Sequence, residues 1–220
     1  MNPLSRPCTR LFLLTTLVLT VPGGWNAASA ASLGAFQISA RGDQKLNLST
    51  GQTELPQGGT ATDSKSGLTL TGKTLKYLPG RSLQATGAAV RVAAGGTLTA
   101  DTVNYDVKSG TLTASGHLTY TSAHIRGLSA GNVVLYTASE AVVASGNVRA
   151  ASPALSASRV VVLNGGAQIL LAGNYTLNTG SSRLADPSAS ARLLLNTKGG
   201  QGVTPRPTQA ALRAFVPYLK

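Results

Sequence analysis

"TLTADTVNYDVKSGTLTASGHLTY", residues 97–120, holds two strand-like phrases joined by a short polar turn, and the first phrase breaks step with itself. Leu98 and Ala100 occupy even positions, yet the apolar series resumes at Val103, Tyr105 and Val107, which are odd. Side chains alternate across a strand with a period of two. A three-residue step therefore keeps the apolar set on one side only if a residue is bulged or the strand bends sharply. The same step separates Gly72 from Leu75, Ala130 from Val133 and Ala157 from Val160. Its recurrence predicts a corner at which strands pass from one sheet to a second, facing sheet. The expected fold is all-β, a repeated-strand, twisted two-sheet β-jellyroll. The competing architecture is a plain β-helix, or solenoid, with small residues at its turns.

Both phrases recur. The first returns as "LTLTGKTLKY" (68–77), "LSAGNVVLY" (128–136), "LSASRVVVLN" (155–164) and, degraded, "SASARLLLN" (188–196); the second returns as "LQATGAAVRV" (83–92), "VVASGNVRA" (142–150) and "LLAGNYTL" (170–177). The equivalent glycines Gly87, Gly116, Gly146 and Gly173 are 29, 30 and 27 residues apart, so each repeat supplies two strands. In the second phrase Leu112, Ala114, Gly116, Leu118 and Tyr120 are expected on one face, with Thr111, Thr113, Ser115, His117 and Thr119 on the other. Glycine inside a strand marks a bend or the close approach of another backbone, which suits a corner.

Outside the repeats, the polar stretch 49–67 reads as a long loop between early strands and 196–208 as a linker. "TQAALRAFVPYLK" (208–220) reads as a short helix capped by Thr208, with Ala211, Leu212, Phe215 and Val216 inward and Pro217 ending it. It would either plug one mouth of the sheets or fray. The expected organisation is a leader over 1–30, the β-jellyroll over 31–196, and a linker with a C-terminal tail or short helix over 197–220.

The leader rests on order and length. Arg6 and Arg10 precede the eleven-residue apolar run 11–21, and a Pro-Gly-Gly break leads to small residues ending at Ala30. Eleven residues fall well short of the roughly 20 that span a bilayer, so a cleaved secretory signal peptide is expected in preference to a retained anchor. The expected location is the periplasm or cell envelope. The one cysteine, Cys8, precedes the apolar run, so the exported chain has no thiol to form a disulfide or bind a metal. After Ala30, 17 basic residues stand against 7 acidic ones, a charge of +10 that favours anionic partners. The basic residues are scattered singly and aromatics make up 5% of the chain, which argues against a nucleic-acid platform.

Groups able to do chemistry are few. His117 and His124 are seven residues apart with no third ligand evident, so no metal and no cofactor are expected. A Ser-His-Asp triad could be drawn with Asp101 or Asp106, but no nucleophile elbow accompanies it. The carboxylates Asp43, Glu54, Asp63, Asp101, Asp106, Glu140 and Asp186 are isolated apart from the Asp101/Asp106 pair, which flanks strand-like sequence. The expectation is a protein that is not an enzyme.

The phrase Leu-x-Ala-Asp-x-Val-x-Tyr-Asp (98–106), the turn with Gly110 and Leu-x-Ala-x-Gly-x-Leu (112–118) resemble the OstA-like family. That family includes the periplasmic lipopolysaccharide-transport proteins LptA and LptC and the amino-terminal domain of LptD. The resemblance extends, decaying, over residues 68–177. It implies a curved β-jellyroll whose apolar trough holds lipid acyl chains and whose exposed end strands add to other domains of the same kind. LptD needs a large barrel and LptC a retained anchor, so the resemblance points to a soluble LptA-like carrier or bridge. By that analogy Leu112, Leu118, Val133, Leu135, Val142, Val148, Val160 and Val162 would contact acyl chains, and Arg91, Arg126 and Arg149 would pair with anionic groups at a rim. The implied partners are lipid or glycolipid, lipopolysaccharide among them, and other OstA-like domains, with peripheral contact to membranes. The competing function is a structural envelope module that binds anionic polymer or its own copies and has a filled, dry interior. A hydrolase on a β-scaffold would need clustered carboxylates or a triad that the sequence does not display.

Overall fold

The computed structural model describes residues 30–33, 36–93, 95–180, 182–198 and 202–219. The leader expected over 1–30 lies outside them except for Ala30. Seven short strands come first: β1 (Ala30–Leu33), β2 (Phe36–Ala40), β3 (Lys45–Asn47), β4 (Gln52–Leu55), β5 (Gly59–Asp63), β6 (Leu68–Gly72) and β7 (Thr74–Leu78). Six long ones follow: β8 (Ser82–Arg91), β9 (Thr97–Asp106), β10 (Thr111–Thr121), β11 (Leu128–Tyr136), β12 (Ala141–Ala150) and β13 (Ala154–Leu163). The chain continues through β14 (Gln168–Ala172), β15 (Tyr175–Thr179), β16 (Ser182–Asp186), β17 (Arg192–Asn196) and β18 (Gly202–Pro205).

Every strand pairing is antiparallel, and each long strand serves two half-sheets. Residues 82–86 of β8 pair with β7, whereas residues 89–91 pair with β6. At the other end, residues 154–156 of β13 pair with β15 and residues 159–163 with β14. The first half-sheet runs from β1, β2, β5 and β6 across the six long strands to β15 and β16. The second runs from β3, β4 and β7 across the same strands to β14, β17 and β18. The result is one all-β sheet, creased along its length and not closed into a barrel, with a jellyroll-like fold. Consecutive long strands are antiparallel neighbours, which sets the arrangement apart from a β-helix.

The crease lies where the three-residue step predicts it. Lys73 separates β6 from β7, Gly173 and Asn174 separate β14 from β15, and the ladder shifts register at residues 115–118, 129–132 and 145–148. One detail differs from the sequence reading: Gly116 is exposed, not inward. It has φ 75° and is followed by His117 at φ 36°; Gly146 and Asn147 (80° and 52°) and Gly173 and Asn174 (67° and 38°) repeat the geometry. These are left-handed conformations, which glycine adopts without a Cβ penalty and asparagine more readily than most residues. The recurring Ala-Ser-Gly phrase is thus the corner itself. β10 and β12 each carry one more residue there than the strands beside them, while β8 turns on Gly87 alone.

The inner faces pack together as one core. In the second half-sheet Tyr77, Leu83, Tyr105, Leu112, Leu135, Val142, Val162, Ile169 and Leu195 are successive cross-strand neighbours. Ile38, Ala61, Leu70, Val90, Leu98, Tyr120 and Leu128 form the corresponding row in the first. All are at most 3% exposed. Phe36 meets Tyr77 and Tyr105 edge-on across the interior, with ring centroids 6.0 and 5.6 Å apart.

Three expectations need correction. The stretch 49–67 is not a loop: it contains β4 and β5, whose inward positions include Thr53, Ala61 and Asp63. Apart from Leu55 their period of two is carried by small or polar residues, so it leaves little hydrophobic signal, and the strands form because β2, β6 and β7 pair with them. The stretch 196–208 likewise contains β18, paired to β17. At the C-terminus Thr208 does cap a helix, its hydroxyl accepting from the Ala211 N–H, but α1 (Gln209–Leu212) lasts one turn. The segment covers the outer face of the second half-sheet and plugs no mouth. Phe215 is fully buried there among Ala141, Val143, Val161, Leu163, Leu170 and Leu194, while Ala211, within the helical turn, and Val216, beyond it, are exposed.

Candidate functional site

The eight positions assigned to acyl-chain contact converge. Leu112, Val133, Leu135, Val142, Val160 and Val162 line the inner face of the second half-sheet, and Leu118 and Val148 lie across the crease on the first. All eight belong to the same core and none is more than 3% exposed. They form part of one contiguous buried cluster.

The interior reaches the surface opposite the crease, where the free ends of the half-sheets meet. Leu68, Val92 and Tyr120 from the first and Leu135 and Val142 from the second border a slot there of about 10 Å³. That is room for roughly one water, against the roughly 300 Å³ of a small ligand site. Burial pushes the Tyr120 hydroxyl above its ordinary range. Farther along, Gly166 closes the two edges on each other. At φ 103° it lies so near the opposite loop that a Cβ would stand 2.9 Å from the Cβ of His124 and 3.2 Å from the Ser122 hydroxyl.

Directly outside the slot is a groove of about 700 Å³ between two turns. Residues 64–67 and Ala93 form one bank, and residues 137–140 form the other. Ser66, Ala93, Thr137 and Glu140 border both slot and groove, so the two are continuous. No family model matches the chain, and no curated protein matches it. The chemistry of this region therefore rests on its own residues.

Lys65 is the one cation and Glu140 the one carboxylate of the groove, and neither side chain makes a hydrogen bond or ion pair among the described residues. The sequence reading passed over both as a site, although a trace of them was there. The turns "DSKSG" (63–67), "DVKSG" (106–110) and "YTASE" (136–140) are equivalent, and Glu140 occupies the place of Gly67 and Gly110. All three residues are left-handed, at φ 51°, 64° and 64° respectively. In the first two turns Asp63 and Asp106 accept the N–H two residues on, an Asx turn.

The three arginines do not converge. Arg91 and Arg149 are exposed on the outer face of the first half-sheet, four strands and about 19 Å apart at the usual spacing of strands. Arg126 is exposed in the loop after β10, where its backbone bridges to Ser152. No single anion could contact all three.

His117 and Asp101 come together at the crease, Nδ1 to Oδ2 2.7 Å, with both side chains in solvent. The hydrogen bond and charge of Asp101 raise the His117 pKa above the ordinary histidine value. A raised folded-state pKa means that the pair contributes fully below the unfolded-chain value and is lost as pH rises through the folded one. Asp101→Asn is expected to bring the His117 titration midpoint, followed through its ring protons by NMR, down toward that of a free histidine. An unchanged midpoint would mean that the pair does not persist in solution. Among the described residues no three His, Cys, Asp or Glu side chains gather as metal ligands, and no helix is long and apolar enough to cross a membrane.

Proposed function

We propose that the protein is a non-enzymatic carrier or bridge for lipid in the cell envelope, of the OstA-like kind, holding acyl chains between its two half-sheets. The observation that carries this reading is the shape of the apolar seam. It runs the length of the creased sheet and reaches the surface opposite the crease at a narrow slot lined by Leu68, Tyr120, Leu135 and Val142 and flanked by polar turns. Such a seam shields hydrocarbon while leaving a polar head at the surface.

The dimensions add a condition. With only about 10 Å³ free at the slot, a chain can enter only if the two edges part. The left-handed corners at Gly87, Gly116, Gly146 and Gly173 place a line of hinges along the crease, and the contact of Gly166 with Ser122 and His124 is the one to break. Strands β1, β3, β16 and β18 each pair on one side only among the described residues, which leaves edges for other domains of this kind.

Two features favour a second reading, a structural module that binds polymer: the interior is filled, as that reading expects, with about 10 Å³ free at the slot, and the outer face carries a polar row. On the outer face of the first half-sheet Ser39, Thr60, Thr71, Ala89, Thr99, Thr119 and Ser129 follow one another across the strands and lead to Arg149, a row of mostly hydroxyl groups suited to a polar polymer. Native mass spectrometry of the protein purified from its source, with organic extraction, separates the two. The carrier reading expects stoichiometric lipid, or its uptake from added vesicles. Lipid-free protein that takes up none would leave the polymer-binding module as the better account.

A further inference from the structure

Resting on the carrier reading, we propose that the groove between residues 64–67 and 137–140 is the seat of the lipid's polar head, and that it selects a charge-balanced head over one of net negative charge. Continuity supports the first half: the groove opens onto the apolar slot through residues common to both, so an amphiphile lying across them would have its chain in the seam and its head between the banks. The volume of about 700 Å³ lies within the roughly 300–1,000 Å³ of sites for small ligands.

Selectivity follows from charge. Far-field attraction by a strongly basic chain draws any anionic surface near. Inside the groove the balance is different, with Lys65 and Ser64 on one bank and Glu140 on the other. A zwitterionic head satisfies both, its phosphate toward Lys65 and its ammonium toward Glu140. A phosphate-only head leaves Glu140 facing like charge, the kind of contact by which interfaces reject wrong partners.

The backbone supplies an independent sign that Glu140 is kept for use. It holds φ 51° at a turn position where the equivalent residues are Gly67 and Gly110. A left-handed conformation is unfavourable for any residue with a Cβ, and such outliers gather at functional sites. No hydrogen bond or ion pair among the described residues offsets that strain.

The test uses the full chain and vesicles of either pure phosphatidylglycerol or phosphatidylethanolamine mixed with phosphatidylcholine, reading lipid taken up per protein by mass spectrometry and thermal unfolding in parallel. Wild type is expected to prefer the zwitterionic lipids by about fivefold or more. Glu140→Gly is expected to erase that preference while raising the melting temperature by about 2–4 °C, since glycine relieves the turn. Lys65→Gln should reduce uptake of both lipid classes. Wild-type preference for phosphatidylglycerol, or a preference unmoved by Glu140→Gly, overturns the head-site proposal but leaves the carrier reading standing. No uptake of either lipid overturns the head-site proposal, and together with the absence of co-purifying lipid it overturns both.

Discussion

Phe215→Ala is expected to cost about 3–5 kcal/mol of stability, the range for emptying a fully buried phenylalanine site. The outer face of the second half-sheet carries Ala141, Val143, Val161, Leu163, Leu170 and Leu194 at positions that face solvent in most of the other strands, and Phe215 is the fully buried side chain of the segment that covers them. Its neighbours hold less. Tyr218 stacks at a tilt against Tyr136, centroids 5.1 Å apart, and its hydroxyl donates to Ser139 Oγ at 2.8 Å, both near the surface. A one-turn helix has no stability of its own away from the sheet. Losing Phe215 should therefore release the whole segment and leave an apolar patch that binds a hydrophobic dye and promotes self-association. Urea unfolding, dye fluorescence and light scattering check this together. A loss below about 1 kcal/mol with no dye binding would show that the segment contributes little to the fold.

That segment shows where the sequence was and was not legible. The Thr208 cap could be read because a hydroxyl before an apolar run satisfies free N–H groups locally. Its docking place could not, since outward Val143, Val161 and Leu170 are indistinguishable from inward valines and leucines until strand register is known. The crease was legible because an odd step in a period of two has few physical solutions. Strands β4, β5 and β18 were not, because their pairing partners and not their own hydrophobicity bring them into the sheet. At the site, the residues proposed for the apolar interior share one core, as alternation requires. The groove was hidden because Lys65 and Glu140 are 75 residues apart and belong to turns that meet only when the sheet folds over. Only the glutamate standing where sister turns have glycine pointed to it.

Two single-residue deletions in β10 test the origin of the crease, and they are expected to differ sharply. Removing Thr113 brings Leu112 and Ala114, both fully buried, into adjacent positions. Adjacent residues in a strand face opposite ways, so one end of β10 must turn its apolar set outward or slip against β9 and β11. Expelling Leu112 alone is expected to cost about 3–5 kcal/mol, enough to leave many variants of this kind unfolded. Removing His117 does something else. The corner would then read Ala114-Ser115-Gly116-Leu118, the pattern that β8 already uses in Ala85-Thr86-Gly87-Ala88, where Ala85 and Ala88 are buried and Gly87 makes the bend at φ 52°. The extra residue that β10 carries relative to both neighbours disappears, and Leu118 and Tyr120 stay inward. The ion pair with Asp101 goes as well, but both side chains stand in solvent, where such a pair contributes little. The expected loss is within about 1 kcal/mol, with an unchanged m-value in urea. Equal damage from the two deletions would mean that the corner geometry of β10 is set by its own Gly-His pair. A large gap between them would mean that the crease belongs to the sheet as a whole, each strand needing only one left-handed residue to follow it.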